Sequence, residues 1–447
     1  MFNIILASDM MNGIGMDNMI PWNVPNDTEL FKSLTQSIVG LKKVVIMGHN
    51  TMKSLKNGYL KNRINIVITQ MNVTYDNVIV IKTFDEALEC AYSMVGRDPN
   101  RVWIIGGVYV YNNAMNHPDI NYIYHSRING TYKCNKFVDI PDHNIISSDN
   151  MDGFTLNIIQ LKNTAERQYL KLLHEVYMTG EKRQTRNATT YSLFGQKLSF
   201  DVSKSFPLLT TKKMFMKGIV EELLFFIRGD TDTNKLMDKG INIWKGNTTK
   251  EFLDKMKLPY EEGMMGPMYG YQWRFFNKPY NGDGPYIDQL KNIIDVIKTD
   301  PTNRRMLMTD FNPLMVDMGV LYPCHSIIIQ FYVSNNMLSI LMHQRSADMF
   351  LGLPFNIAST TLLLYIVAQL TNTTPHMVHI TLGDCHIYEQ HIDVVKEQLT
   401  RTPYNEPTLT LPKFTTLDEV EKLEYNIDTF KLTNYNFHPV IKAEMIA

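Results

Sequence analysis

Up to about residue 160 the chain returns again and again to short runs rich in Ile and Val: Phe2–Ala7, Lys43–Met47, Ile64–Thr69, Val78–Ile81, Val102–Ile105 and Tyr122–His125. Amphipathic stretches separate several of them. Asp85–Val95 is one, with apolar Ala87, Leu88, Ala91 and Met94. Short apolar strands spaced by helices fit a largely parallel sheet covered on both faces. That narrows the fold, because parallel strands cannot be joined by a tight turn and each crossover needs its own covering element. Gly153 then precedes Phe154–Leu161, which reads as a closing antiparallel strand.

A different pattern begins near Glu166. Gln168–Tyr177 reads as a helix with Tyr169, Leu172, Leu173 and Val176 on one stripe, ended by Gly180. Asn356–Leu370 is almost wholly apolar and reads as a helix buried all round. Ser192–Phe200, Ser326–Val333 and Leu338–Gln344 are strand candidates, and the last two flank the turn Ser334-Asn335-Asn336. A chain of 447 residues exceeds one ordinary core. The expectation is an α/β domain over 1–161, a short linker over 162–165, and an α+β domain over 166–447.

Lys and Arg total 44 against 45 Asp and Glu, without the basic excess of a dedicated nucleic-acid binder. The four cysteines, Cys90, Cys134, Cys324 and Cys385, are scattered and form no CxxC pair. Neither a disulfide framework nor a metal site is expected, and a reducing compartment fits. The first residues lack a charged n-region and an apolar h-region, and the apolar runs look too short to span a bilayer. A soluble, cytoplasmic protein is expected.

Cys324 sits in Tyr322-Pro323-Cys324-His325-Ser326 at the opening of a strand candidate. Read alone, a lone cysteine is more often a small buried hydrophobe than a nucleophile. The following hairpin would return Arg345 beside it. A guanidinium there favours the thiolate of a group whose free pKa is about 8.5, and offers a planar fork for a phosphate. The plainer alternative is a surface ion pair between Arg345 and Asp348.

The Pro323–His325 segment and Gln344–Ser359 resemble thymidylate synthase, as do Phe206–Lys213, Gly266–Arg274, Gly383–Tyr388 and His438–Lys442. These motifs follow the family's order over about residues 166–447. The resemblance implies that Cys324 attacks C6 of dUMP and that C5 then takes the methylene of 5,10-methylenetetrahydrofolate. Tetrahydrofolate supplies the hydride that completes the methyl group. Glu222 would organise water for proton transfers. Arg345 and Arg186 would hold the dUMP phosphate, joined by Arg304 and Arg305 from the second subunit of a homodimer. Asn356 would read the uracil edge, His386 and Tyr388 would bond the ribose, and Asp348 would meet the folate pterin with Trp244 nearby. Three segments depart from the family's pattern. The Arg186 loop reads Arg186-Asn187-Ala188-Thr189-Thr190 and is one residue shorter than usual. Phe311 stands where Trp is usual, and Lys245 where an acid is common.

In the first half, Ile20–Asp27 precedes a helix carrying Leu30, Phe31 and Leu34, with Pro25 suited to its first turn. Asp27 alone reads as a first-turn acid. Gly13-Ile14-Gly15, Ile20-Pro21-Trp22, Val45–Gly48 and Ile104–Gly107 resemble dihydrofolate reductase across about residues 1–160. The resemblance implies that Asp27 binds the pterin and promotes its protonation at N5, and that NADPH delivers a hydride to C6. Phe31 would line the folate pocket and Arg63 would bind the glutamate carboxylate. Ile20 and Trp22 would belong to a loop over the nicotinamide. Ala7, Gly15, Ile20, Gly48, Thr51, Thr69, Gly106, Gly107 and Tyr109 would contact the cofactor, with the Gly106-Gly107 backbone at a pyrophosphate. Gln70 stands where a basic residue often meets the 2′-phosphate, and Asn135–Val138 replaces a common Asp-Thr-x-Phe pattern. Reductase before synthase on one chain resembles the bifunctional enzymes of protozoa. Two rivals are a chain with one live half and a nucleic-acid-binding regulator that keeps the fold.

Overall fold

The computed structural model describes residues 1–141, 143–185 and 188–446. The chain divides into two compact units, Met1–Lys162 with Thr400–Thr402, and Asn163–Leu399 with Pro403–Ala447.

The first unit begins with β1 (Phe2–Ser8), β2 (Gly13–Gly15), α1 (Pro25–Thr35), β3 (Val44–Gly48), α2 (His49–Ser54), β4 (Ile64–Ile68) and β5 (Val78–Ile81). It continues through α3 (Phe84–Val95), β6 (Val102–Ile104), α4 (Val108–Asn116), β7 (Ile120–Ile128), β8 (Lys136–Phe137), β9 (His143–Met151) and β10 (Phe154–Leu161). Eight strands form one sheet in the order β5-β4-β3-β6-β1-β7-β10-β9. Pairing is parallel from β5 to β7 and antiparallel at β10 and β9. Val44–Met47 is fully buried because both faces of β3 are covered. Val44 and Ile46 pack with Ala87, Leu88 and Val110 from α3 and α4, while Val45 and Met47 pack with Trp103, Phe31 and Leu34 on the other side. Full burial of such side chains contributes about 1.5–3 kcal/mol each. A capping box between Thr83 and Glu86 starts α3, and Gly96 at φ +75° ends it. The antiparallel strand expected at Phe154–Leu161 is β10, but it does not close the sheet. The edge is β9, whose mostly exposed sequence carries too little apolar alternation to stand out.

The second unit contains α5 (Ala165–Thr179), β11 (Glu181–Gln184), β12 (Thr189–Asp201), α6 (Met216–Arg228), α7 (Asn234–Met237), α8 (Lys250–Lys255) and α9 (Gly270–Phe275). After these come α10 (Gln289–Thr299), β13 (Leu307–Met308), β14 (Ile328–Ser334), β15 (Met337–Asp348), α11 (Gly352–Thr371) and β16 (Thr374–Tyr388). Its sheet runs β11-β12-β16-β15-β14-β13, parallel only between β15 and β16, which α11 connects. Asn335 and Asn336 both hold positive φ in the turn between β14 and β15, which suits a two-residue hairpin. Alternation puts Ile329 and Phe331 of β14 in the core and leaves Ile328 and Tyr332 exposed on the opposite face.

By length and composition α11 is apolar enough to cross a bilayer, so the expectation of no such segment needs correction. Most of it is buried inside this unit, as a core helix would be.

Candidate active sites

Cys324 lies between β13 and β14, half-buried, and Tyr269 and Arg345 fix it. The Tyr269 hydroxyl is 3.3 Å from Sγ and accepts from the Cys324 backbone N–H at 3.2 Å. Arg345, on β15, donates its backbone N–H to the Cys324 carbonyl at 2.8 Å. The Arg345 guanidinium reaches the carbonyls of Pro323 at 3.2 Å and Tyr322 at 3.3 Å. Gly383 lets β16 lie close against Arg345 on its other side, since a Cβ there would lie 2.4 Å from the Arg345 carbonyl oxygen. The hairpin thus returns Arg345 to the thiol as expected. Asp348 does not pair with it and instead accepts from the backbone N–H groups of Phe350 and Leu351. One expectation changes. Burial raises the thiol pKa, and the opposing pull of Tyr269 and Arg345 does not cancel it. The resting thiol is protonated more firmly than a free one.

Asn356, in the first turns of α11, receives a hydrogen bond on its side-chain oxygen from Gln344 at 2.9 Å, which fixes the orientation of its amide. On β16, His386 is oriented by Asp384 at 3.0 Å and meets the Tyr388 ring edge-on at 5.0 Å. In register, Asp348 on β15 lies opposite His386.

Glu222, on α6, is buried, and its carboxyl is pushed up to about 7 by burial, against the pull of a hydrogen bond from Trp244 Nε1 at 2.9 Å. Trp244, expected near the folate, hydrogen-bonds Glu222, and its ring lies 5.7 Å from that of Tyr269. Tyr269 therefore joins the Glu222–Trp244 pair to the thiol. It stacks on Phe226 and His325 as well, and holds φ +44°, a conformation that costs a non-glycine residue about 1–3 kcal/mol. Arg304 and Arg305 are exposed just before β13, and no ion pair of either occurs among the described residues. Arg186 lies outside the described residues.

In the first unit Asp27 is the third residue of α1 and half-buried. Burial raises its pKa, and the only opposing influence is the Ser126 hydroxyl of β7. That hydroxyl is buried and makes no hydrogen bond within 3.5 Å, so it faces the acid without closing on it. The buried Tyr111 ring is near enough for its hydroxyl pKa to be raised by the Asp27 charge as well as by burial. Arg63 donates to Thr35 at 2.9 Å, lies over the Phe31 ring, and has a buried Nη2 with no partner. An unpartnered guanidinium nitrogen beside an aromatic wall suits an incoming carboxylate.

Ala7, Gly48, Thr69, Gly106 and Gly107 lie at or just beyond the C-terminal ends of neighbouring parallel strands, where open α/β sheets bind ligands. Gly48 N–H donates to the Gly106 carbonyl at 2.7 Å. A Cβ at Gly106 would meet the Tyr111 ring at 2.9 Å, and one at Gly107 the Thr51 hydroxyl at 3.2 Å. This bare backbone at the start of α4 fits a diphosphate. Gly15 is set by β2, which Asp9 braces through the Gly13 N–H, and pairs with Lys136 of β8. Tyr109 and Ile20 are exposed, the latter at 64%. Trp22 does not share that exposure: it is buried with Ile128, Phe154 and Leu156 and anchors the segment.

The supporting residues Tyr269, Gln344, Asp384, Ser126 and Thr35 were not singled out by sequence. Tyr269, Gln344 and Asp384 fall inside recognised motifs, and that position was their only signal.

Comparison with known proteins places these geometries in context. Residues 167–447 match the family model for thymidylate synthase, and residues 1–154 that for dihydrofolate reductase. The chain is similar to a bifunctional dihydrofolate reductase-thymidylate synthase of Paramecium tetraurelia, at 34% identity over 99% of this chain and 98% of the relative. The enzyme of that name from Leishmania major is 37% identical over 99% and 95%, and that from Zea mays 34% over 99% and 96%.

Proposed function

The chain belongs to the bifunctional dihydrofolate reductase–thymidylate synthase family, making dTMP from dUMP and reducing the dihydrofolate so formed, and we propose that Cys324 and Asp27 are the groups on which its two reactions turn. The synthase half uses 5,10-methylenetetrahydrofolate and the reductase half NADPH.

In the synthase, Cys324 Sγ attacks C6 of dUMP, which makes C5 the nucleophile toward the folate methylene. Loss of the thiol proton is uphill in the resting site, so the incoming phosphate and pyrimidine must meet groups already in position. Arg345 retains N–H groups beyond those used on Pro323 and Tyr322, and Arg186 joins it at the phosphate. Asn356, oriented by Gln344, presents its amide to the uracil edge, while His386 and Tyr388 take the ribose. Glu222, with a pKa near neutrality, can hold or release a proton at working pH. Asp348 and Trp244 serve the folate, Trp244 through Glu222. The observation that carries this reading is the convergence of Tyr269 and Arg345 on Cys324 from different elements.

In the reductase, Asp27 holds the pterin and promotes protonation at N5, its carboxyl raised toward the range where it can share a proton. Bound NADPH would supply a hydride for C6. Gly48, Thr51, Gly106 and Gly107 would hold its diphosphate, and Ala7, Gly15, Ile20, Thr69 and Tyr109 its remaining parts. Phe31 and Arg63 take the rest of the folate. Preference for NADPH over NADH belongs to this proposal, since Gln70 spends its amide on the Lys82 carbonyl.

We also assign a homodimer through the synthase. Its support is the open sheet face bearing Ile328 and Tyr332, and the unpaired Arg304 and Arg305, which would complete the partner's phosphate site. Four free cysteines fit the cytoplasm proposed for it.

A nucleotide carrying fluorine at C5 tests the nucleophile, because C5 then has no proton to lose. With the folate co-substrate present, a stable adduct is expected on the peptide containing Cys324. An adduct on any other residue overturns the assignment.

A further inference from the structure

Asp310 lies just past β13 and is 2% exposed. Its Oδ2 accepts from the Ser326 hydroxyl, while its Oδ1 has no partner. With Gln272, Asn312 and Pro323 it lines a cavity of about 10 Å³, and Pro323 is the residue before the nucleophile. Its position is rigid. The flanking Thr309 exchanges hydrogen bonds with the Gln289 side chain at 3.1 and 2.7 Å, and its hydroxyl donates to the Ile327 carbonyl.

Ser326 stands two residues beyond Cys324, is buried, and holds φ +54°. A serine in that conformation needs its surroundings to keep it there, and the bond to Asp310 is one such restraint. The Ser326 hydroxyl also lies 3.3 Å from Nδ1 of His325, whose ring stacks on Tyr269 at 4.6 Å. Asp310, Ser326, His325, Tyr269 and the Cys324 sulfur thus form one contiguous cluster.

We propose that Asp310 is a positioning residue for the Cys324 nucleophile: through Ser326 it fixes the segment that carries the thiol, and the thiolate forms more readily while the Asp310 carboxyl is neutral, because otherwise the cluster must hold two negative charges.

The chemistry of the site supports this. A carboxyl with one oxygen accepting from a serine and the other lacking any donor is best satisfied as the neutral acid. Burial pushes it up to about 8, with the Ser326 bond opposing only in part. Its charge in turn raises the thiol. The other groups facing Cys324 act differently. Tyr269, from the segment before α9, and Arg345 of β15 favour the thiolate. Burial lowers His325 to about 4 and keeps it neutral, and Tyr388 of β16 is raised to about 12, first by burial, and is neutral as well. Asp310 is therefore the group whose ionisation works against the nucleophile.

The proposal rests on Cys324 being the nucleophile, and its test separates the two ideas. Alkylation of Cys324 by iodoacetamide is followed in the full chain across about pH 6 to 10, with the modified peptide identified by mass. The native chain should show a rise that flattens as Asp310 ionises, as coupled sites do. Asp310→Asn keeps an acceptor for Ser326 without the charge. It should give a single rise at lower pH and a rate at pH 9 roughly threefold or more above native. Ser326→Ala removes the bond that lowers Asp310, and should move the flattening to higher pH. An Asp310→Asn profile superimposed on the native one overturns the proposal. So does an unmoved flattening in Ser326→Ala, which decides the matter if the first variant fails to fold. If instead alkylated Cys324 still makes dTMP, the nucleophile assignment itself has failed.

Discussion

The two groups proposed to carry the reactions, Cys324 and Asp27, sit in opposite kinds of surroundings. Cys324 is held by Tyr269 from the segment before α9, by Arg345 from β15, and through Ser326 by Asp310. Among the described residues, the Ser126 hydroxyl is the one side chain that favours the Asp27 carboxylate, and it is not within bonding distance. Burial raises both groups, yet one is braced before any ligand arrives and the other waits for its ligand to complete it. A thiol must be aimed at one carbon of a pyrimidine, so misplacement by an ångström is costly. An acid that binds a pterin by hydrogen bonds gains its partners from the substrate itself.

Substitution of the reactive atoms should break the comparison most sharply. Cys324→Ser should reduce dTMP formation on the order of 10⁴-fold while leaving NADPH oxidation with dihydrofolate near the native rate. Loss of both rates would mean that the units do not act as separate sites. Asp27→Asn should do the converse, with reductase turnover falling about 10²-fold and dTMP formation from supplied methylenetetrahydrofolate unchanged. A native reductase rate in that variant would reduce Asp27 to the first-turn acid that its helix position alone suggests.

Smaller effects sharpen the contrast through pH. Glu222 is an acid below about pH 7 and a carboxylate above it, so synthase kcat should change through neutrality. The Trp244 bond favours the carboxylate. Trp244→Phe should therefore move that inflection to higher pH, and a shift downward or none at all would show that another group sets it. Least of all, Ser126→Ala removes the one influence that lowers Asp27, so the reductase pH profile should move upward. An unmoved profile would leave Asp27 with no protein partner of consequence.

What could be read without coordinates follows the same division. The β3 run Val44–Met47 was legible because both of its faces are buried, and the turn at Asn335-Asn336 because that dipeptide tolerates positive φ. The return of Arg345 to Cys324 followed from the hairpin alone. Tyr269 was not legible as a support, for it meets the thiol across 55 residues of chain and no periodicity links them. Ser126 was hidden for the same reason, and no hydroxyl could be assigned to Asp27 from sequence. A tryptophan in a recognised motif does not reveal which wall its ring packs on, so neither the Trp244 bond to Glu222 nor the burial of Trp22 could be read. The strand β9 escaped because its exposed Ser, Asn and Asp residues look like a loop.

The helix α11 carries a consequence for biosynthesis. Its twenty residues pack against β15, made just before it, and β16, made just after. While the ribosome is still adding β16, a stretch with the composition of a membrane anchor lacks one of the elements that cover it. Apolar-binding chaperones and targeting factors read just such stretches, so the nascent polypeptide must finish and dock this strand faster than they can capture the helix.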